Sequence, residues 1–197
     1  MLLFIVFITE WALLMVEMVA FKTFAVHFGG TIYVWGNVIG MVMIGSSAGY
    51  YCGGRIADAR PCRKNLMAIL LVAGLFIVTL PFFISIFFSS FNVSENFFWW
   101  AFVLSLFLCG LPALLIEMTP PFAVRLINKN LSETGISVGK VYGFSALGGI
   151  AGIVTSSFVT LPFFGARETL FIAGGVLIFT YIFSFFRSKF LVKVKNA

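Results

Sequence analysis

Charge, histidine and cysteine are all scarce in this chain of 197 residues. Asp, Glu, Lys and Arg make up 10% of it, whereas an average soluble domain contains about 25%. It has one histidine and three cysteines, and no two cysteines have the Cys-x-x-Cys spacing. Metal sites and nucleophilic catalytic sets need several such side chains together. We therefore expect no metal, no cofactor and no enzymatic activity, and we expect reduced, structural thiols.

Apolar residues are correspondingly abundant, at 61% of the chain, and the mean hydropathy is +1.09. A single small core cannot bury that much apolar surface, so the composition predicts an integral membrane protein with the lipid bilayer as its surroundings. Because a membrane-spanning helix needs about 20 residues, six spans would use nearly the whole length. Soluble catalytic domains, including nucleotide-binding and zinc domains, are thereby excluded.

Six membrane-spanning helices, and hence an all-α fold, are predicted from the hydropathy and its interruptions. The fourth should end before Pro120-Pro121, since proline cannot continue a helix. The spans form one predicted transmembrane domain, residues 1–186, and residues 187–197 form a basic tail. The expected spans are 2–21, 31–54, 66–88, 97–118, 139–163 and 169–186.

Lysine and arginine are distributed very unevenly between the two predicted sides of the membrane. Only Lys22 and Arg167 fall on one side, and eleven fall on the other. Because such residues collect in cytoplasmic loops, both termini are predicted to be cytoplasmic, with the cell membrane as the location. The net charge of +6 is thus a signal of topology, and no nucleic-acid partner is expected. The eleven are Arg55, Arg60, Arg63, Lys64, Arg125, Lys129, Lys140, Arg187, Lys189, Lys193 and Lys195.

An internal repeat is suggested by features that recur after about one hundred residues. Glu17 precedes Lys22 near the end of the first span, and Glu117 precedes Arg125 near the end of the fourth. Two inverted units of three spans would result, as in each half of a major facilitator transporter. The alternative is chance placement in an apolar sequence, with the glycines serving helix packing alone. The second and fifth spans carry the matching glycine series Gly36, Gly40, Gly45, Gly49, Gly53 and Gly139, Gly143, Gly148, Gly149, Gly152.

The segment between the second and third spans reads GGRIADARPCRK from Gly53 to Lys64. It is similar to the loop signature of the major facilitator superfamily, a Gly-x-Leu-Ala-Asp core followed by basic residues. A carboxylate at a helix end beside basic groups can bridge to a neighbouring helix end and latch one conformation. Asp58, Arg60 and Arg63 are therefore a candidate cytoplasmic latch. A stop signal of the positive-inside kind would explain the arginines but not Asp58.

Six motifs spread along nearly the whole chain are more specific in combination than the loop signature alone. They are EMVA, FGGTIYVW, GYYCGGRIAD, PFAVRL, GKVYGFSALGGIAG and LPFFGAR, which begin at residues 17, 28, 49, 121, 139 and 161. In combination they resemble the membrane domain of the fused spermidine synthase-like proteins. Lys22 stands where that family more often has arginine, which keeps the charge. Members usually continue into a soluble aminopropyltransferase-like domain, whose nucleotide-binding glycine loop and acidic polyamine site are missing from this sequence. The resemblance implies a six-helix membrane domain like half of a major facilitator, without synthase activity.

Ionisable side chains inside the predicted spans are the candidate site residues, since such groups are costly in lipid and usually face the bundle interior. Glu10 and Glu17 are seven residues apart and share one helix face, and Glu117 lies in the last turn of the fourth span. They could form a polar path for a cation or proton. Alternatively, Glu17 and Glu117 could form ion pairs with Lys22 and Arg125 that lock the bundle. Glu10 has no basic neighbour in sequence, so it is the stronger functional candidate, expected to point toward the second, fourth or fifth span.

Two functions of different classes follow from this sequence. The first is a half-transporter, a six-helix unit that dimerises to form a pathway for a polyamine or another organic cation. The second is a non-catalytic membrane anchor or scaffold for a separately encoded synthase-like enzyme or a larger membrane complex. The partner is accordingly a second copy of the chain, or another membrane or synthase-like protein.

Overall fold

The computed structural model describes residues 1–90, 97–128 and 134–195, and this part of the chain is helical with no strand. Six of its helical segments are long and apolar enough to cross a membrane. The predictions of an all-α fold and of six spans are thereby confirmed.

The first, second, third and sixth spans are each a single helix. The fourth and fifth each consist of several helical pieces that follow one another along one course. The helices are α1 (Leu2–Phe28), α2 (Ile32–Ala59), α3 (Arg63–Ser90), α4 (Phe97–Ser105), α5 (Leu111–Ile116), α6 (Thr119–Ile127), α7 (Thr134–Thr155), α8 (Leu161–Phe163) and α9 (Ala166–Lys195). The π-helical segments Leu106–Gly110 and Ser156–Thr160 complete the fourth and fifth spans.

Several helices extend beyond their predicted ends. Helix α1 passes Lys22 and ends before Gly29, whose φ of 81° lies in the left-handed region that glycine adopts readily. Helix α2 runs to Ala59, so Asp58 lies in its last turn. Helix α9 continues to Lys195, so most of the predicted tail, 187–197, continues the sixth helix.

The two π-helical turns have a common cause, because each lies immediately before a Leu-Pro pair. Leu106–Gly110 precedes Pro112, and Ser156–Thr160 precedes Pro162. Proline lacks an amide hydrogen, and its ring clashes with the carbonyl four residues earlier. A wider turn at that point accommodates the proline, so the span continues.

The prediction that the fourth span ends before Pro120 and Pro121 is wrong, because the apolar helical segment runs from Trp99 to Ile127 and includes α6. Helix α5 ends at Ile116, and α6 begins at Thr119 with proline in its first turn. In a first turn the missing amide costs nothing, because that amide has no partner within the helix. The prolines therefore begin a short helix, α6, which is not predicted from the sequence.

Helix α1 lies at the centre of the bundle, against α7 and α9 as well as α2 and the pieces of the fourth span. Fully buried side chains follow its length, among them Met15, Val16 and Phe24. Helix α2 packs on the fourth span and α6, and α3 packs on α9. This central position makes a carboxyl group on α1 accessible to several other helices at once.

Glycines determine how closely two of these helix pairs approach. A β-carbon on Gly45 or Gly49 of α2 would overlap the backbone of the fourth span, and one on Gly148 or Gly152 of α7 would overlap the backbone of α1. Such contact through small residues is how membrane helices pack without a hydrophobic driving force. The bundle thus brings α2 and α7 directly against the two spans that carry Glu10 and Glu117.

Candidate functional site

Two acidic side chains from different spans meet in the interior of the bundle. Glu10 of α1 is 5% exposed, and Glu117, in the turn between α5 and α6, is 6% exposed. Their carboxyl groups lie within hydrogen-bonding reach of each other. We call Glu10 and Glu117 the carboxyl pair.

Hydroxyl groups from α2 and α7 flank the carboxyl pair on both sides. The Ser46 hydroxyl donates a hydrogen bond to Oε1 of Glu117 over 3.3 Å, and Tyr50 also reaches Glu117. Ser145 of α7 contacts Glu10. The glycine contacts explain this arrangement, because they allow α2 and α7 to approach closely enough for short side chains to reach the carboxyl groups.

The hydrogen bonding of the carboxyl pair is incomplete. Oε1 of Glu10 and Oε2 of Glu117 are both buried, and neither oxygen accepts a hydrogen bond from a donor group among the described residues. A buried carboxylate oxygen without a partner is costly, and two adjacent carboxylates repel each other if both are ionised. The arrangement is therefore suited to hold a proton or a cation between the two groups.

Two tyrosines lie beside the carboxyl pair at the edge of the bundle. The Tyr50 and Tyr142 rings meet edge to face with their centroids 6.2 Å apart, which connects α2 to α7. They are 37% and 41% exposed, and both phenols lie close enough to interact electrostatically with Glu10 and Glu117. They consequently stand between the carboxyl pair and the outside of the bundle.

Glu17 and Lys22 are not brought to the carboxyl pair. Glu17 is partly buried and lies near Cys109. The Lys22 ammonium donates to the Leu161 carbonyl over 3.4 Å, where the fifth span ends. Among the described residues Lys22 has no carboxylate partner, so it caps a helix end.

Arg125 likewise does not neutralise Glu117. Its Nε lies 3.2 Å from Oδ1 of Asp58, which connects α6 to the end of α2. This bridge is of the kind expected for a latch. The side chains of Arg125 and Asp58 are, however, 53% and 76% exposed, and ion pairs on the surface contribute about 0–1 kcal/mol to stability. Arg60 and Arg63 are exposed and form no ion pair within the described ranges.

Four side chains around the carboxyl pair are not predicted from the sequence, namely Ser46, Tyr50, Tyr142 and Ser145. Serine and tyrosine are common in membrane helices, so their identity alone carries little information. Their spacing offers a weak signal. Ser46 and Tyr50 are four residues apart in α2, and Tyr142 and Ser145 are three residues apart in α7, so the members of each pair share one helix face.

Metal ligands do not gather anywhere in the described ranges, where no three His, Cys, Asp or Glu side chains lie close enough to hold an ion. The three cysteines are free.

Comparison with known proteins gives no match to a family model, to a curated protein or to a solved structure. The fold therefore defines the class by itself: the chain is an integral membrane protein with six membrane-spanning segments.

Proposed function

We propose that this protein is a half-transporter-like unit that binds a cation or proton at the carboxyl pair. The observation that carries this proposal is the burial of Glu10 against Glu117, each with an oxygen that accepts no hydrogen bond from a donor group in the described structure. A charge in mid-span costs about 2.5–3.5 kcal/mol on insertion scales. An ion pair that only locks the bundle would offset that cost with a basic residue, and neither Lys22 nor Arg125 lies at the pair.

An organic cation, such as a polyamine, is the substrate class that we propose. Carboxylate oxygens accept charge-assisted hydrogen bonds from ammonium groups, and aromatic rings such as those of Tyr50 and Tyr142 attract cations over their faces. The two carboxyl groups of the pair are the reason for placing a polyamine within this class.

Two inverted three-span units are part of the same proposal, as is the likeness to half of a major facilitator. The helix contacts support them, since α2 packs on the fourth span and α7 packs on the first. Gly74 of α3 and Gly174 of α9, one hundred residues apart, pack against each other. A second copy would complete a pathway by covering the outer face of α2 and α7, which carries the two tyrosines.

The direct test is flux through the purified protein in liposomes. Uptake of radiolabelled spermidine is measured together with the signal of a pH-sensitive dye inside the vesicles, and protein-free liposomes provide the background. We expect uptake above background. A folded, monodisperse protein that moved neither spermidine nor protons would contradict the proposal.

A membrane anchor is the second candidate function, and an exposed basic surface favours it. Arg60, Arg63 and Lys64 are all exposed at one end of the bundle, where an acidic soluble partner could bind. Mild purification from native membranes, followed by identification of co-purifying proteins, tests this role. A stoichiometric synthase-like enzyme in the preparation, with no flux in liposomes, would favour the anchor over the half-transporter.

Both termini are proposed to be cytoplasmic, and Cys62 allows this to be measured. It is exposed between α2 and α3, whereas Cys109 is buried. In a Cys52→Ser background, a membrane-impermeant maleimide should label Cys62 only after the cells are permeabilised. The additional change Cys62→Ser should abolish that labelling, and labelling of Cys62 in intact cells would reverse the proposed topology.

A further inference from the structure

A cavity lies at the end of the bundle where α1 ends and α9 begins, away from the carboxyl pair. It has a volume of about 450 Å³ and opens between α1, α3 and α9. Pro81, Phe82 and Leu170 provide apolar walls, while Arg167, His27 and Ser85 provide polar groups. Nothing in the proposed transport function uses this cavity.

Arg167 is the only Lys or Arg side chain among the described residues that line the cavity, and it lies beside two aromatic rings. Its guanidinium carbon lies 5.7 Å from the ring centroids of both Phe82 and Phe171. Two aromatic faces attract the cation but accept no ordinary hydrogen bonds. Within the described ranges the guanidinium pairs with no carboxylate, so its planar set of donors is available to an anionic ligand.

His27 forms an ordered edge of the same cavity. Its Nδ1 lies 2.9 Å from the Thr23 carbonyl oxygen, and since a carbonyl only accepts, Nδ1 carries the proton. The ring also stacks on Phe88, with centroids 3.6 Å apart. The imidazole is thereby held in place, and the Ser85 hydroxyl adds a further polar group to the lining.

We propose that this cavity binds the phosphate group of an anionic phospholipid. An arginine fork matches the geometry of phosphate oxygens and can bind two of them at once. The apolar walls on α3 and α9 would then contact the glycerol and the first acyl carbons, and both helices are membrane spans. A free phosphate ion offers the same charge to Arg167 but would gain nothing from Pro81 and Leu170.

Native mass spectrometry of the full chain in detergent tests this site, with phosphatidylglycerol as the probe. Hydrogen bonds to charged groups contribute enough that Arg167→Gln should weaken phosphatidylglycerol binding about tenfold or more. Arg55→Gln is the matched control, because Arg55 also lies over a ring, that of Tyr51 at 5.6 Å, but outside the cavity. It should leave binding unchanged.

Ser85→Leu is a second variant, which fills the cavity but keeps Arg167, and it should also reduce lipid binding. A parallel thermal-shift titration with inorganic phosphate distinguishes the two sources of the anion. Stabilisation by inorganic phosphate that is lost in Arg167→Gln would support a phosphate site filled from solution. The phospholipid proposal is overturned if phosphatidylglycerol does not bind, if Arg167→Gln binds it as tightly as the unsubstituted protein, or if only inorganic phosphate occupies the site through Arg167.

Discussion

Replacing Glu10 by glutamine should leave expression and oligomeric state near normal while reducing spermidine uptake in liposomes at least about tenfold, the factor expected for losing a hydrogen bond to a charged group. Glutamine keeps the shape of the side chain and can still hydrogen-bond to Glu117 and Ser145. It cannot carry a negative charge or exchange a proton. The change therefore removes the proposed chemistry and preserves the packing.

Glu117→Gln should have a similar effect, because the two carboxyl groups act together in the proposed site. The double variant should be hardly worse than either single one, since groups that act as a unit are not additive. Glu168→Gln is the control, because Glu168 is exposed in the first turn of α9, away from the carboxyl pair. This variant should take up spermidine as the unsubstituted protein does. Full uptake by Glu10→Gln would refute the site and leave a structural role for the pair.

The six spans could be predicted from sequence because hydropathy depends on composition over a window and not on tertiary contacts. The ends of the helices could not be predicted in this way. Lys22 does not interrupt α1, since a long side chain can place its charge at a polar group while its stem stays along the helix. In this case the polar group is the Leu161 carbonyl, which is distant in sequence.

The carboxyl pair was predictable only in part. Glu10 and Glu117 were both candidates as ionisable groups in apolar helices, and Glu10 was expected to point inward toward the second, fourth or fifth span. Sequence proximity suggested Arg125 as the partner of Glu117, but in the structure Arg125 binds Asp58. Which groups meet depends on how closely the helices approach, and that distance is determined by backbone contacts at glycines such as Gly49 and Gly148.

The packing of α3 against α9 offers the sharpest test of this dependence on glycine. A β-carbon on Gly174 would lie 2.7 Å from Cγ2 of Val78 and 2.8 Å from the Gly74 carbonyl oxygen. Gly175, the next residue, has open space around the corresponding position. The two sites thus share a helix and a sequence neighbourhood and differ in what surrounds them.

Gly174→Val should therefore destabilise the protein by about 1–3 kcal/mol or more, because the backbone of α3 must move to make room. Gly175→Val introduces the same β-branched side chain into the same helix, so any effect of helix propensity is common to both variants. Thermal unfolding in detergent, followed by size-exclusion chromatography with fluorescence detection, compares them directly. We expect a clearly lower midpoint for Gly174→Val only. Equal midpoints for the two variants would mean that α3 and α9 do not make this backbone contact in the membrane protein, and that the close approach through glycine does not determine how the spans assemble.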